Sequence, residues 1–303
     1  MSVIIAEKLS RHYGRRRGVD GLNLCIGEGE LFGFLGPNGA GKTTTIRLLL
    51  GFLRPHSGLA TVFGLDAWRR TATIKQEVGY LPGDLRLYPW LNADLALKVF
   101  SQVRGTRLCE FGHELAERFS LELTVPVRKM SRGMRQKLGL ILALAHRPRL
   151  LVLDEPTSGL DPLMQEELGS CLRELARAGH TVFFSSHTLS EVEQLCDRVA
   201  IVRAGKIVAD ETLRALHERA RRAVTVIFEE AEMARRVEPP GFLEVCERDG
   251  KRWSCELTGA APDLIRWAAG QALEDITIGR PDLESLFRKF YAGPQEIGPE
   301  EAG

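Results

Sequence analysis

The sequence predicts a layered α/β fold over residues 1–220, with a helical subdomain inserted at about residues 85–145, followed by a small α+β domain over residues 221–303. Three observations predict it. Short apolar runs alternate with amphipathic helical patterns through the first 220 residues, as in a sheet covered by helices. A glycine-rich stretch, "GPNGAGKTT", stands between one such run and one such helix. After "AGKIVADETLRALHERARR" the pattern changes to β-rich runs and a tight turn.

In chain order, "LFGFLG" reads as a strand, "KTTTIRLLLGFL" as a helix, "LRPHSG" as a turn and "LATVFG" as a second strand. The insert carries "ADLALKVFSQVRG", "FGHELAERFSL" and "RGMRQKLGLILALAH", the last stopped by Pro148. "LLVLD" and "TVFFSSH" are compact apolar runs of the kind buried on both faces of a sheet. In the C-terminal part, "AVTVIF", "FLEVCERDGKRWSCEL" with Asp249-Gly250 as a tight hairpin turn, "PDLIRWAAGQAL", "EDITIG" and "DLESLFRKFYAG" form the small α+β unit. The tail from Pro294 reads as frayed.

With 303 residues and 44% hydrophobic content the chain can bury real cores, which excludes disorder. Net charge is +1, and a mild basic excess lies before residue 221. That suits nucleotide phosphates better than a nucleic-acid tract. The longest clean apolar run, Leu138 to Ala145, is far short of the roughly 20 residues that cross a bilayer. The opening "MSVIIAEKLSRHYGRRR" puts its charges after a very short apolar run, whereas a secretory signal places them before a longer one, so a cytoplasmic protein is expected. The six cysteines (Cys25, Cys109, Cys171, Cys196, Cys246 and Cys255) form no CxxC pair and read as free thiols rather than metal ligands.

The stretch Gly36, Pro37, Asn38, Gly39, Ala40, Gly41, Lys42, Thr43 and Thr44 matches the GxxxxGK(S/T) phosphate-binding loop of P-loop NTPases (Walker A), placed after a strand and opening a helix. Its glycines let backbone N–H groups turn inward around a β-phosphate, and the helix N-terminus adds a favourable dipole. Lys42 would reach the β- and γ-phosphates, the Thr43 hydroxyl would hold Mg²⁺, and Thr44 would add a hydrogen bond. Asp154, at the tip of "LLVLD", can hold the Mg²⁺ shell, which leaves Glu155 to polarise water. His187, ending "TVFFSSH", is placed to contact the γ-phosphate or the attacking water. Tyr13 could stack on adenine.

In this order the motifs resemble an ABC transporter ATP-binding subunit, an ATP-binding cassette, over nearly all of residues 1–220. "MSRGM", Met130 to Met134, occupies the place of the family's signature, usually LSGGQ. Ser131 can cap the helix that follows and aim its first N–H groups at an anion. The resemblance implies that two cassettes, two copies or a copy and a homologue, pack head to tail. Ser131 and Gly133 of one chain then face the ATP held by the other. It also places "SGLDP", with Asp161, at that interface.

Two departures from the family pattern involve three residues. Arg132 and Met134 replace glycine and glutamine in the signature, and Gly83 in "GYLPGD" stands where glutamine is usual. Both departures resemble the ABC-2-type exporter branch. The resemblance implies an ATPase, with ATP and Mg²⁺ as cofactors, on the inner face of the cell membrane and powering a separate permease. That permease would dock on the insert near Leu85, Leu87, Tyr88, Trp90 and Leu91; these residues read equally as insert core. A soluble cassette ATPase acting on nucleic acid or ribosomes is the rival reading, but it usually carries two cassettes or long coiled-coil or zinc-bearing inserts, and no nucleic-acid partner is expected. A small-molecule kinase would share the phosphate loop but would not need "SRGM" or "SGLD".

Overall fold

The computed structural model describes residues 1–14, 16–283, 287 and 290. The chain divides into two compact units, Met1–Leu213 and Arg214–Gly303.

The first unit opens with two long antiparallel strands, β1 (Ser2–Tyr13) and β2 (Arg16–Gly27). Strand β3 (Leu31–Leu35) is buried along its whole length and runs into the phosphate loop and α1 (Lys42–Leu49). Helix α1 is shorter than its sequence suggests. The Leu50 N–H closes its last turn on the Ile46 carbonyl, and Gly51 (φ 65) leads the chain out. Next come β4 (Ser57–Val62), the two-residue β5 (Leu65–Asp66), α2 (Thr71–Gln76) and β6 (Val78–Leu81).

The insert supplies α3 (Ala93–Arg104), α4 (Cys109–Arg118) and α5 (Arg132–Leu144). The rest of the unit is β7 (Leu150–Asp154), α6 (Pro162–Arg177), β8 (Thr181–Ser186), α7 (Leu189–Leu195), β9 (Arg198–Arg203) and β10 (Lys206–Thr212). Local chemistry sets several helix ends. Asn92 accepts the Leu95 N–H to start α3, and Gly105 (φ 67) ends it. Asp161 accepts the Met164 N–H, with Pro162 as the first residue of α6.

The strands form an antiparallel sheet in the order β2-β1-β4-β5 and a larger sheet in the order β10-β9-β3-β8-β7-β6. In the larger sheet all neighbouring pairs from β9 to β6 are parallel, and β10 closes the edge antiparallel. One apolar core, including Ile4, Leu22, Phe34, Ile46, Leu49 and Phe183, joins both sheets to α1. Contacts at two places on β6 and its approach help to hold the insert to this body. Arg104 of α3 donates to the Gln76 and Val78 carbonyls at 3.0 and 3.1 Å. At Gly79 of β6 a Cβ would lie 2.1 Å from the Ala143 carbonyl oxygen, so α5 rests directly on that strand.

Helix α8 (Leu213–Arg219) leads into the second unit, built from β11 (Arg222–Phe228), α9 (Ala231–Arg236), β12 (Leu243–Asp249), β13 (Arg252–Leu257), α10 (Ala261–Ala268) and β14 (Leu273–Pro281). Its sheet is antiparallel in the order β12-β13-β11-β14, and Val226, Phe228, Trp253 and Leu264 fill its core. The hairpin turn sits one residue later than expected. Asp249 pairs with Arg252, so the loop is Gly250-Lys251, with Gly250 at φ 55. Glycine at the first loop position matches a II′ turn. Most of "DLESLFRKFYAG", and the tail from Pro294, lie outside the described residues.

Candidate active site

Parallel pairing brings three strand ends into line. Leu35 of β3 pairs with Ser186 of β8, and Asp154 of β7 pairs with Ser185 of β8. The phosphate loop, Asp154-Glu155 and His187 therefore emerge side by side at the carboxyl ends of neighbouring strands, where open α/β sheets bind ligands.

Gly41 precedes α1 at φ 108, and a Cβ there would lie 2.4 Å from the Gly18 carbonyl oxygen, so only glycine allows β2 to pack this closely on the loop. No side chain caps α1 and its first turn holds no acid, which leaves its N–H groups and dipole to an anion. Lys42 is buried, and its ammonium donates to the Gly36 carbonyl at 2.6 Å and the Pro37 carbonyl at 3.3 Å. The same nitrogen lies 3.3 Å from Glu155 Oε1.

Asp154 is also buried, and both its oxygens are engaged. Oδ2 accepts the Thr43 hydroxyl at 2.8 Å and Oδ1 the Ser185 hydroxyl at 2.6 Å. A hydroxyl beside a fixed carboxylate is a hard-oxygen pair that fits Mg²⁺, which takes one or two protein ligands and completes its shell with phosphate and water. Among the described residues no group of three or more His, Cys, Asp and Glu side chains forms a metal cage.

Glu155 stands in the left-handed backbone region at φ 52, a conformation that costs energy and persists only when its surroundings impose it. Its N–H donates to the Ser185 carbonyl at 3.1 Å, and its own carbonyl accepts the Ser158 N–H at 3.3 Å. Its carboxylate lies between Lys42 and His187, whose Nδ1 is 3.3 Å from Oε2.

Tyr13 lines a cavity of about 380 Å³ with Asn38, Gly39, Gly41, Lys42, Thr43, Thr44 and Glu155, so the aromatic side chain is brought to the phosphate loop. A second cavity, about 480 Å³, takes in Thr43, Tyr80, Gly83, Asp84, Asp154 and Glu155. At Gly83 a Cβ would lie 3.4 Å from Asp154 Oδ2, so the backbone passes this carboxylate with no side chain between them. Burial, with the Asp154 charge adding to it, pushes the Tyr80 phenol up to about 12 and keeps it a neutral donor.

Ser131 and Gly133 line neither cavity. Ser131 Oγ accepts the Met134 N–H at 3.1 Å, which caps α5, and Gly133 packs against the loop at Gly159. The remaining loop residues keep the turn in shape: the Ala40 N–H donates to the Pro37 carbonyl, and the Ala40 carbonyl accepts from Gly205. Sequence reasoning overlooked Ser185, which anchors Asp154, and Gln136, which is buried and donates to the Pro156 carbonyl at 2.9 Å.

A family model described as ABC transporter matches residues 19–158. The ABC transporter ATP-binding protein YdbJ of Bacillus subtilis (strain 168), itself uncharacterized, is 34% identical over 303 residues, which span 98% of each chain. The chain belongs to the ABC transporter family. As an ATP-binding cassette it is an ATPase, and the paired sheets and helical insert above are its cassette fold. The bacitracin transport ATP-binding protein BcrA of Bacillus licheniformis is 40% identical over 226 residues, 73% of this chain and 74% of that protein. A solved ATP-binding subunit of an ABC transporter matches at TM-score 0.65 and 28% identity, covering 71% of this cassette chain and 92% of its own. No helix among the cassette's described residues is long and apolar enough to cross a membrane.

Proposed function

We propose that this cassette hydrolyses ATP to power export through a separate membrane permease, working as a head-to-tail pair with a second cassette on the cytoplasmic face of the membrane. The observation that carries the chemistry is Glu155 between Lys42 and His187 at the end of β7. The loop N–H groups and Lys42 hold the β- and γ-phosphates, and Tyr13 stacks on adenine. Glu155 takes a proton from the attacking water, and His187 holds the carboxylate in place. Mg²⁺, held by Thr43 and Asp154, would neutralise phosphate charge. Ser131 and Gly133 sit at the capped tip of α5 and line neither cavity beside their own chain's phosphate loop, which suits them to the nucleotide of the partner. Loss of the γ-phosphate removes what bridges the two halves, and they part.

BcrA, a bacitracin transport protein by name, supports an export role. The permease would meet the insert. Tyr88 and Trp90 are 68% and 58% exposed with their rings stacked at 5.6 Å, while Leu91 is buried and belongs to the insert's own core. Two exposed, stacked aromatics favour a partner surface.

Glu155→Gln tests the reading. Turnover should fall by about two to four orders of magnitude while ATP binding persists. With Mg-ATP the variant should accumulate as a dimer in light scattering, and a strict monomer counts against the reading. Recovery in washed membranes only when a multi-span permease is co-expressed tests the docking.

A further inference from the structure

The tip of α5 is joined to the catalytic segment of its own chain. Arg132 Nη2 donates to Ser158 Oγ at 2.5 Å. The arginine stem lies flat on Gly159, where a Cβ would sit 3.1 Å from its Cγ and 3.2 Å from its Cδ. One residue on, a Cβ at Gly133 would lie 2.7 Å from the Gly159 carbonyl oxygen, so the two backbones touch. One turn further along the same helix face, Gln136 donates to the Pro156 carbonyl. Segment 156–159 is thus held at both ends by α5. The Ser158 N–H in turn donates to the carbonyl of Glu155, the residue with the left-handed backbone.

Arginine is a costly choice at position 132. The first turn of α5 holds no acid, and a cation there opposes the helix dipole. The family pattern has glycine at this position, which makes no such bond.

We infer that Arg132 is a positioning residue. It clamps the α5 tip to Ser158, so that the surface offered to a partner's nucleotide moves as one piece with the backbone that sets Glu155, the base for the chain's own nucleotide. The inference rests on the head-to-tail pair proposed above and adds a route between its two sites: α5 tip, Arg132, Ser158, Glu155. A shift of the tip when the partner's γ-phosphate departs reaches Glu155 through one bond between two side chains and one backbone hydrogen bond.

The test is a double-mutant cycle on the full chain with Arg132→Ala, Ser158→Ala and both together, reading kcat, KM and the Hill coefficient for ATP. Each single variant should lower kcat by about tenfold with KM within about twofold, as loss of a charge-assisted bond that positions a base would do. The Hill coefficient should fall toward about 1, and the double variant should be no worse than either single. Arg132→Lys, which can still donate to Ser158, should recover much of the loss. Additive losses overturn the inference. So does Ser158→Ala with wild-type kcat and cooperativity beside an impaired Arg132→Ala, which would mean that Arg132 acts on phosphate directly. A Glu155→Gln variant that stays monomeric with Mg-ATP overturns the pairing itself, whereas additivity with that dimer intact overturns this inference alone.

Discussion

Glu155 and His187 face each other across neighbouring strand ends, carboxylate Oε2 to imidazole Nδ1 at 3.3 Å. The other carboxylate oxygen is 3.3 Å from the Lys42 ammonium, so the group is fixed at both oxygens. Replacing His187 with alanine frees one of them. Turnover should drop about 10- to 100-fold, as for a misoriented base, with nucleotide affinity unchanged. Steady-state hydrolysis beside a nucleotide titration checks it. A matching loss of affinity would mean that His187 serves binding instead.

Asp154→Asn keeps the volume of a buried side chain but removes its charge. The Thr43 and Ser185 hydroxyls both donate to Asp154, so one of them must turn round and accept from the amide N–H₂, and the fixed carboxylate is lost. Mg²⁺ should then cease to strengthen ATP binding, a loss of about tenfold or more. Calorimetric titration with and without Mg²⁺ reads this directly. An undiminished Mg²⁺ effect would place the ion on other ligands.

The phosphate loop, β3, β7, β8 and α5 were legible because each is encoded locally, by glycines, compact apolar runs or a serine cap. The two longest strands were not. Strand β1 pairs with β2 through register shifts between Ala6 and Leu9 and again beyond Leu9, so its buried positions break the two-residue alternation that marks a strand. Strand β6 has only four residues, one of them glycine. Ser185 and Gln136 matter through partners 31 and 20 residues away in sequence, contacts that no local pattern announces. The Arg132–Ser158 bond has the same character. The sequence marks Arg132 as a departure, and only the fold supplies its partner.

Gly79 tests the seat of the insert. An added methyl would meet the Ala143 carbonyl oxygen at 2.1 Å and the ring of Pro148 at 2.8 Å, and backbone cannot swing aside as a flexible side chain can. Gly79→Ala should therefore cost about 1–3 kcal/mol by overpacking. Urea unfolding measures the loss. An unchanged midpoint would show that α5 shifts on β6 at no cost.

His146 gives the first unit an acid-sensitive joint. Its Nε2 lies 3.1 Å from the Val78 carbonyl, which can only accept, so Nε2 carries the proton and the buried Nδ1 has no partner. The same carbonyl takes Arg104 at 3.1 Å. Burial first, and the Arg104 charge second, push the imidazole down to about 4 from its usual 6.5. Because the folded value lies below the unfolded one, the unfolded chain binds the extra proton across that window. Stability is therefore full above about pH 6.5 and falls as the pH drops toward about 4. With allowance for partial solvent screening the loss between pH 7 and pH 5 is about 1 kcal/mol. His146→Gln cannot titrate, so its unfolding free energy should fall less over the same interval, by about that difference. Carboxylates shared by both proteins cancel in the comparison. Equal slopes for the two proteins would remove His146 from the acid response, whereas a steeper wild-type slope with faster amide exchange in α3 at pH 5 would place the joint where Arg104 and His146 meet on Val78.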